Sequence, residues 1–333
     1  MQNSLSTMGH QCTGRNLSLL AGLVLAAASA SGITQAQTDW PARTVTIVVP
    51  YAAGGNTDMM ARMASQKLTE AFKQSFIVDN RVGAGGALAA NYVAQAAPDG
   101  YTLFFAAAPL IAVLSKVQKV NYDPHGDFIP VSIFGTGPFI LAISSAIAVR
   151  NIPEFVAYAR SHKINYGSGG TGSVGHLAGA LFVARGGFDA VHIPYRGGGP
   201  AMTALLGGQV DMYFGNAAEI IPQVESGKVR IIGVAAQSRM EQLPDVPTVS
   251  ETYPDFSLSS WNGFLVPART PRVIVDKLAR EVIAASRDPA VVSQLTKLGI
   301  EPNGTTPEEF AAQIVREQPQ FDLAIKAANL GER

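Results

Sequence analysis

Continuous runs of apolar, β-branched residues alternate along this chain with segments whose apolar residues recur at helical spacing. Thr44 to Pro50 (TVTIVVP) is the first such run. It ends in YAAGGNTD, after which Met60, Met63, Ala64, Leu68, Ala71 and Phe72 fall on one helical face. The unit of strand, glycine loop and helix then recurs. FIVDN (76–80) leads into RVGAGG and the alanine-rich ALAANYVAQAA, and the turn Pro98-Asp99-Gly100 hands over to the strand YTLFFA. Strands that are apolar throughout, joined by helices, predict α/β architecture with mainly parallel sheets covered on both faces.

A second series follows the Pro/Gly-marked stretch 124–138, which reads as a break. Strand FILAIS (139–144) leads to a helix near Pro153 to Ser161, with Pro153 in the first turn. INYGSGGTG precedes a helix from about Val174 to Arg185. VHIPYRGGG precedes a helix over Ala201 to Leu206, and QVDMYFGN and VRIIGVAA (229–236) supply further strands. The proline-rich LPDVPTVSETYPDF (243–256) reads as a surface connection. Beyond it come the strand-like LSSWNGFLVP, a helix opened by Thr270-Pro271 and running to about Ser286, and a last helix from about Pro307. With no strand expected between them, these C-terminal helices are expected to pack back on the first lobe.

The first 36 residues read as an export signal. Arg15 is the one cation before the apolar run Leu17 to Gly32, and the small residues Thr34 and Ala36 suit cleavage near Ala36, with Ala28-Ser29-Ala30 as an alternative. The run is shorter than the ~20 residues a spanning helix needs. Removing it leaves about 297 residues, a size at which one core commonly gives way to two. The expected division is 37–138 plus 257–333 as a discontinuous first lobe and 139–256 as a second, in a periplasmic monomer. Cys12 lies within the segment removed, so no disulfide and no cysteine metal site is expected. With Arg15 gone, 24 Lys and Arg face 25 Asp and Glu, a balance that offers nucleic acid no electrostatic footprint.

Four glycine-rich loops fall where a strand hands over to a helix: 53–57, 83–86, 167–173 and 197–199. Open α/β sheets bind ligands at the carboxyl ends of their strands, and helix starts offer unpaired N–H groups and a positive dipole end. Any one loop is equally a plain tight turn; four at the same topological position point to a shared anion cleft. The hydrogen-bonding side chains around them are neutral: Tyr51, Asn56, Thr57, Ser168, Thr171, Ser173, Tyr195 and Asn216. A charge-assisted hydrogen bond contributes about 1.5–3 kcal/mol, so several such donors hold a carboxylate without a cation. Asp58 reads as compensation of the helix dipole, Arg196 as facing solvent, and His176 as a packed or capping histidine.

Gly167-x-Gly169-x-x-Gly172 matches a dinucleotide-binding pattern, but Asp189 precedes the next strand and is at the wrong end to meet a ribose. Ser173 lacks the glycine two positions earlier that a nucleophile elbow needs. No phosphate-loop, His-Glu-x-x-His or calcium-loop motif is present. These readings favour a non-enzymatic binder without cofactor or metal. A sensor that serves a signalling receptor, or an exported nucleotide-dependent or hydrolytic enzyme, are the competing classes.

Six blocks, in order, resemble the Bug family, the substrate-binding proteins of tripartite tricarboxylate transporters. They are WPARTVTIVVPYAAGGNTDMMAR (40–62), VDNRVGAGG with PDGYTL, GSGGTGSVGHLAGALF (167–182), IPYRGGGPAMTALLGGQVDMYF (193–214), LPDVPTVSE (243–251) and WNGFLVPARTP (261–271). The resemblance implies a two-lobed periplasmic binding fold of the second type with two crossover strands at the hinge. It also implies a small organic carboxylate held in the interlobe cleft by loop amides, hydroxyls and waters, and delivery to the transporter's membrane subunits. Carried over by position, the contacts are Tyr51, Ala53, Gly54, Thr57, Ala84, Gly85 and Gly86 from the first lobe. The second lobe supplies Ser168, Thr171, Gly172, Ser173, Tyr195 and Asn216. One position departs: Ala204 stands where an acidic residue is common in the family, a difference expected to touch a surface or lobe contact.

Overall fold

A computed structural model describes residues 39–331, so the expected export segment and Cys12 lie outside the described residues. The body that begins at Arg43 is described below. Its elements, in chain order, are β1 (Val45–Val49), α1 (Asn56–Phe72), β2 (Phe76–Asn80), α2 (Ala87–Ala94), β3 (Thr102–Ala107), α3 (Ala108–Ala112), α4 (Leu114–Val117) and β4 (Phe128–Ser144). Then come α5 (Ile152–Ala159), β5 (Ile164–Ser168), α6 (Val174–Gly186), β6 (Ala190–Pro194), α7 (Gly198–Leu206), β7 (Met212–Asn216), α8 (Ala217–Val224) and β8 (Val229–Val234). The last are β9 (Ser259–Pro267), α9 (Arg272–Ser286), α10 (Pro289–Lys297), β10 (Glu301–Pro302) and α11 (Pro307–Ala327).

Each lobe is built on three parallel strands. In the first, β1 lies between β2 and β3, with Val45 opposite Phe76 and Thr46 opposite Thr102. In the second, β5 lies between β6 and β7. Val45, Ile47, Val48 and Val49 are all buried, as an apolar strand covered on both faces requires. Helix α1 packs on β1 and β2 through Met60, Ala61, Ala64 and Leu68, which fixes the loop before it at the strand's carboxyl end.

The antiparallel part of the sheet joins the two lobes. Strand β9 pairs with β3 on one side and β4 on the other. Strand β4 belongs to the first sheet as far as Pro138, opposite Ser259, and to the second from Phe139, opposite Asn216. The stretch 124–138, expected as a break, is therefore mostly strand. Its prolines and glycines are tolerated because the β4–β9 register shifts between Pro130 and Ser132 and again between Ile133 and Gly135.

The C-terminal region differs from expectation in two ways. The short strand β10 lies between α10 and α11 and pairs with β4. Helix α9 packs on β4 and α1 as expected, whereas α11 lies against α6 of the second lobe as well as β4 and α3. The Gln318 amide donates to the Ala112 carbonyl at 3.0 Å, and Lys116 pairs with Asp322, so the contact of α11 with the α3–α4 segment is polar as well as packed. Thr306 and Glu309 form a capping box that starts α11.

Helix α6 is tied to its sheet by a histidine pair. The His176 ring stacks on His192 with centroids 3.7 Å apart and planes 8° from parallel, and Tyr166 stacks on His192 at 5.0 Å. His176 Nδ1 accepts the Gly172 N–H at 3.1 Å, while His192 Nε2 lies 2.7 Å from Ser168 Oγ. Burial drives both rings to the neutral form, His176 down to about 3 with help from the adjacent His192, and His192 down to about 4.

Two outcomes follow from this packing. Gly263 sits in β9 where a Cβ would lie 2.8 Å from the Ser132 carbonyl oxygen and 3.0 Å from Ile133 Cα, backbone atoms that no rotamer change can move. Gly263→Ala is expected to lower unfolding free energy by about 2–3 kcal/mol in urea titration. Histidines with depressed folded pKa values bind fewer protons when folded, so their neutral form supports the fold above pH 6.5 and that support falls away towards pH 4. Unfolding free energy from urea titration is expected to drop through this window, by up to about 1.4 kcal/mol per pH unit per histidine, and His192→Gln is expected to flatten the slope.

Candidate functional site

The loop after β1 is organised by one buried carboxylate. Asp58 Oδ2 accepts the Gly54 N–H and the Arg62 Nε–H, each at 2.9 Å, and Oδ1 accepts from Asn80 Nδ2 at 2.9 Å. Asn80 Nδ2 also donates to the Tyr51 carbonyl. Burial raises the Asp58 pKa, but the bonds from Arg62, Gly54 and Asn80 outweigh it and hold the carboxyl below its ordinary value. Asp58 thus does more than offset a helix dipole: it fixes the loop. Ala53, Gly54 and Gly55 stand exposed, while the Asn56 side chain is half-buried, its Oδ1 enclosed and without a partner. Thr57 is buried, with Oγ1 accepting from Asn262 Nδ2 at 3.1 Å. Tyr51 is half-buried against the core, and burial pushes its phenol up to about 12.

Ala84, Gly85 and Gly86 form a 3-10 turn in which all three have positive φ, from 48° to 102°. At Gly86 a Cβ would lie 2.6 Å from Leu110 Cδ2 and 3.0 Å from Pro50 Cβ, so glycine lets this turn close against the first loop. The Ala84 carbonyl accepts from Gln118 Nε2, and Gly85 lies beside Leu114.

In the second lobe, Ser168 is fully buried. Its Oγ is shared between His192 and the Gly170 backbone, whose N–H it accepts at 3.1 Å. Ser173 caps α6, its Oγ accepting the His176 N–H. Thr171 is exposed. The next loop is tied to this one by Tyr195 N–H to the Ser168 carbonyl and Gly197 N–H to the Gly169 carbonyl, and the Tyr195 side chain is half-buried. Asn216, at the start of α8, donates from Nδ2 to Glu219 Oε1 at 3.4 Å.

The four loops form one arc. The 50–57 and 83–86 loops touch through Pro50 and Gly86, and the 167–173 and 195–199 loops through Gly169 and Gly197. Helix α4 connects the pairs, with Leu114 beside Gly85 and Val117 beside Gly172. The four segments adjoin in space, and their donors divide into two sets. The N–H groups of Gly54, Gly86 and Gly172 are engaged by Asp58, the Gly83 carbonyl and His176, and the Ser168 hydroxyl is enclosed. These residues shape the loops. The amides of Ala53, Gly55, Ala84, Gly85 and Thr171 have no hydrogen-bond partner among the described residues.

The Arg81 and Arg196 side chains take no part in the arc's hydrogen bonds. Arg81 pairs with Asp79 at 2.7 Å and lies over the Tyr92 ring, and Arg196 is exposed. No cluster of metal-ligating side chains occurs among the described residues. Ala204, expected near a surface, is 2% exposed and packs in the core with Ala201, Met202 and Leu205, because its face of α7 turns to the sheet. Sequence reasoning missed the organising role of Asp58, the partnership of His176 with His192, and Glu219. Asn216-x-x-Glu219 at a helix start was the one sequence signal for the last.

Comparison with known proteins places this arrangement. A family model described as "tripartite tricarboxylate transporter family receptor" matches residues 60–330. A Pseudomonas sp. (strain P51) protein from the tcbD-tcbE intergenic region is 36% identical over 297 residues, 88% of each chain. BugT of Bordetella pertussis is 33% identical over 301 residues, 89% of this chain and 92% of that one. An R. palustris protein solved with adipate superimposes with a TM-score of 0.82 at 33% identity, covering 88% of this chain and 99% of the other. MatC from Rhodopseudomonas palustris, solved with bound malate, gives a TM-score of 0.78 at 34% identity over 86% of this chain and 100% of the other. The fold is the two-lobed α/β fold of type II periplasmic binding proteins, and the chain belongs to the tripartite tricarboxylate transporter receptor family.

Proposed function

We propose that this protein is a periplasmic solute-binding receptor that captures a small organic carboxylate between its lobes and presents it to the membrane subunits of a tripartite transporter. The lobes are assigned as 37–138 plus 257–333 and 139–256, the export segment is cleaved near Ala36, and the mature protein acts as a monomer without cofactor or metal. One observation carries the reading. Unpartnered amides at Ala53, Gly55, Ala84, Gly85 and Thr171 stand on strand-to-helix turns of both lobes, with no cation bonded among them.

Such donors suit a carboxylate, which accepts several N–H bonds through its two oxygens. At about 1.5–3 kcal/mol per charge-assisted bond, a few of them together with a hydroxyl are enough for micromolar affinity, near −8 kcal/mol. The relatives solved with adipate and malate bind ligands of this class. The contacts assigned are the amides of Ala53, Gly55, Ala84, Gly85 and Thr171, with side chains of Tyr51, Asn56, Thr171, Ser173, Tyr195 and Asn216 around them. Gly54, Thr57, Gly86, Ser168 and Gly172 hold the loops in shape. Bonding to both lobes at once favours the state in which both sets of donors are within reach, so ligand shifts the population towards closure.

Isothermal calorimetry with C3 to C6 carboxylates is expected to give micromolar binding that is lost when the carboxyl is methyl-esterified; binding of a sugar or a metal ion in place of every carboxylate would overturn the proposal. Thr171 is exposed, so Thr171→Ala is expected to leave stability within about 0.5 kcal/mol of the parent while weakening carboxylate affinity roughly 5–30-fold.

A further inference from the structure

The second lobe carries its own carboxylate at a helix start of the proposed site. Glu219 Oε2 accepts the Tyr213 hydroxyl at 2.7 Å, and Oε1 accepts from Asn216 Nδ2 at 3.4 Å. Its carboxyl group lies directly against Gly198, the first residue of α7, where any Cβ would collide with both oxygens. The neighbouring segment Tyr195 to Gly197 is tied by backbone bonds to the 167–173 loop, so Glu219 sits at one end of the donor arc.

Capping of α8 does not account for this placement. Glu219 is the third residue of α8, yet neither it nor Asn216 makes a side-chain cap on that helix, and its carboxylate turns to Tyr213 and Gly198. Tyr213 is buried, and its enclosure together with the neighbouring carboxylate holds the phenol well above its ordinary pKa, so it remains a donor. A carboxylate has about four acceptor positions. Two are filled here, and Glu219 is half-buried, leaving acceptor capacity open.

This negative charge occupies the place where the dipole of α7 would otherwise favour a ligand's anion. The free amides at Ala84, Gly85 and Thr171 lie along the rest of the arc. A ligand whose carboxylate docks on those amides meets an acceptor at the far end. We infer that Glu219 is a specificity-determining residue that selects carboxylates bearing a protonated amine over dicarboxylates. The inference rests on the carboxylate-binding reading above and narrows it to zwitterionic ligands: a second carboxylate beside Glu219 is repelled, whereas an ammonium group gains a charge-assisted bond.

The test is calorimetry on the mature protein with length-matched pairs: 3-aminopropanoate against succinate, 4-aminobutanoate against glutarate, and 5-aminopentanoate against adipate, with butanoate as the common carboxylate probe. The amino member is expected to bind at least tenfold more tightly in the best-fitting pair. Glu219→Gln is expected to shrink that ratio tenfold or more while changing butanoate affinity less than about threefold. Glu219→Ser provides the same comparison should thermal unfolding show that the glutamine variant does not fold. Dicarboxylates binding as tightly as their amino partners, or a ratio unchanged by both substitutions, would overturn this inference alone. Binding of no member of the panel, butanoate included, would overturn the carboxylate reading and this inference with it.

Discussion

The pairing of β4 with β9 is the constraint on which the rest of the molecule depends. Strand β4 is hydrogen-bonded to the first sheet up to Pro138 and to the second from Phe139, so one stretch of backbone belongs to two sheets. Strand β9 holds the first half of that stretch on one of its edges and β3 on the other. At Gly263 the β4 backbone leaves no volume for a methyl group. Because β1 to β3 on one side and β5 to β7 on the other are built outward from this pair, their carboxyl ends carry the four loops to a common region. Helix α4 then fills the space between Gly85 and Gly172.

On the proposed reading, the loops hold an anion without a cation. Every amide in a glycine-rich turn is a possible donor, but an amide that also holds the turn in shape is engaged already. Asp58 takes the Gly54 N–H and His176 takes that of Gly172. The remaining amides project with no competitor. Their orientation is set before a ligand arrives, which removes part of the ordering cost of binding. Both organising groups are tuned for the task. Asp58 is kept ionised by three donors despite its burial, and His176 is kept neutral by burial, so its Nδ1 remains an acceptor.

Much of this was legible in the residues. Continuous apolar strands such as TVTIVVP announce a parallel sheet covered on both faces, and glycines mark the four strand ends whose loops adjoin in space. The failures have a common cause, since each involves a partner distant in sequence. The stretch 124–138 looks like a break because local signals register Pro130, Pro138 and Gly135 but not β9, more than a hundred residues later, which makes it a strand. Helix α11 meets α6 through tertiary packing that periodicity cannot orient. Ser168 reads as a ligand hydroxyl until His192, from the next strand, is found against it. Ala204 reads as a surface position until the packing of its helix face is known.

Glu219 shows the same limit from the side of specificity. Within its own segment it is an acidic residue in a first helical turn, a position where such residues are common for reasons of dipole alone. Its meaning comes from Gly198, which has no side chain and so lets a carboxylate from the next helix reach the start of α7. A framework of loops can in this way keep one general task, the holding of an anionic group by amides, while a single charge brought in from a neighbouring helix changes which molecules complete the set of contacts. The amides are fixed by backbone geometry and are hard to alter without disturbing the turns. The residues that face the other end of the ligand carry no such burden, and there a change from acidic to neutral alters electrostatic complementarity with little effect on the fold.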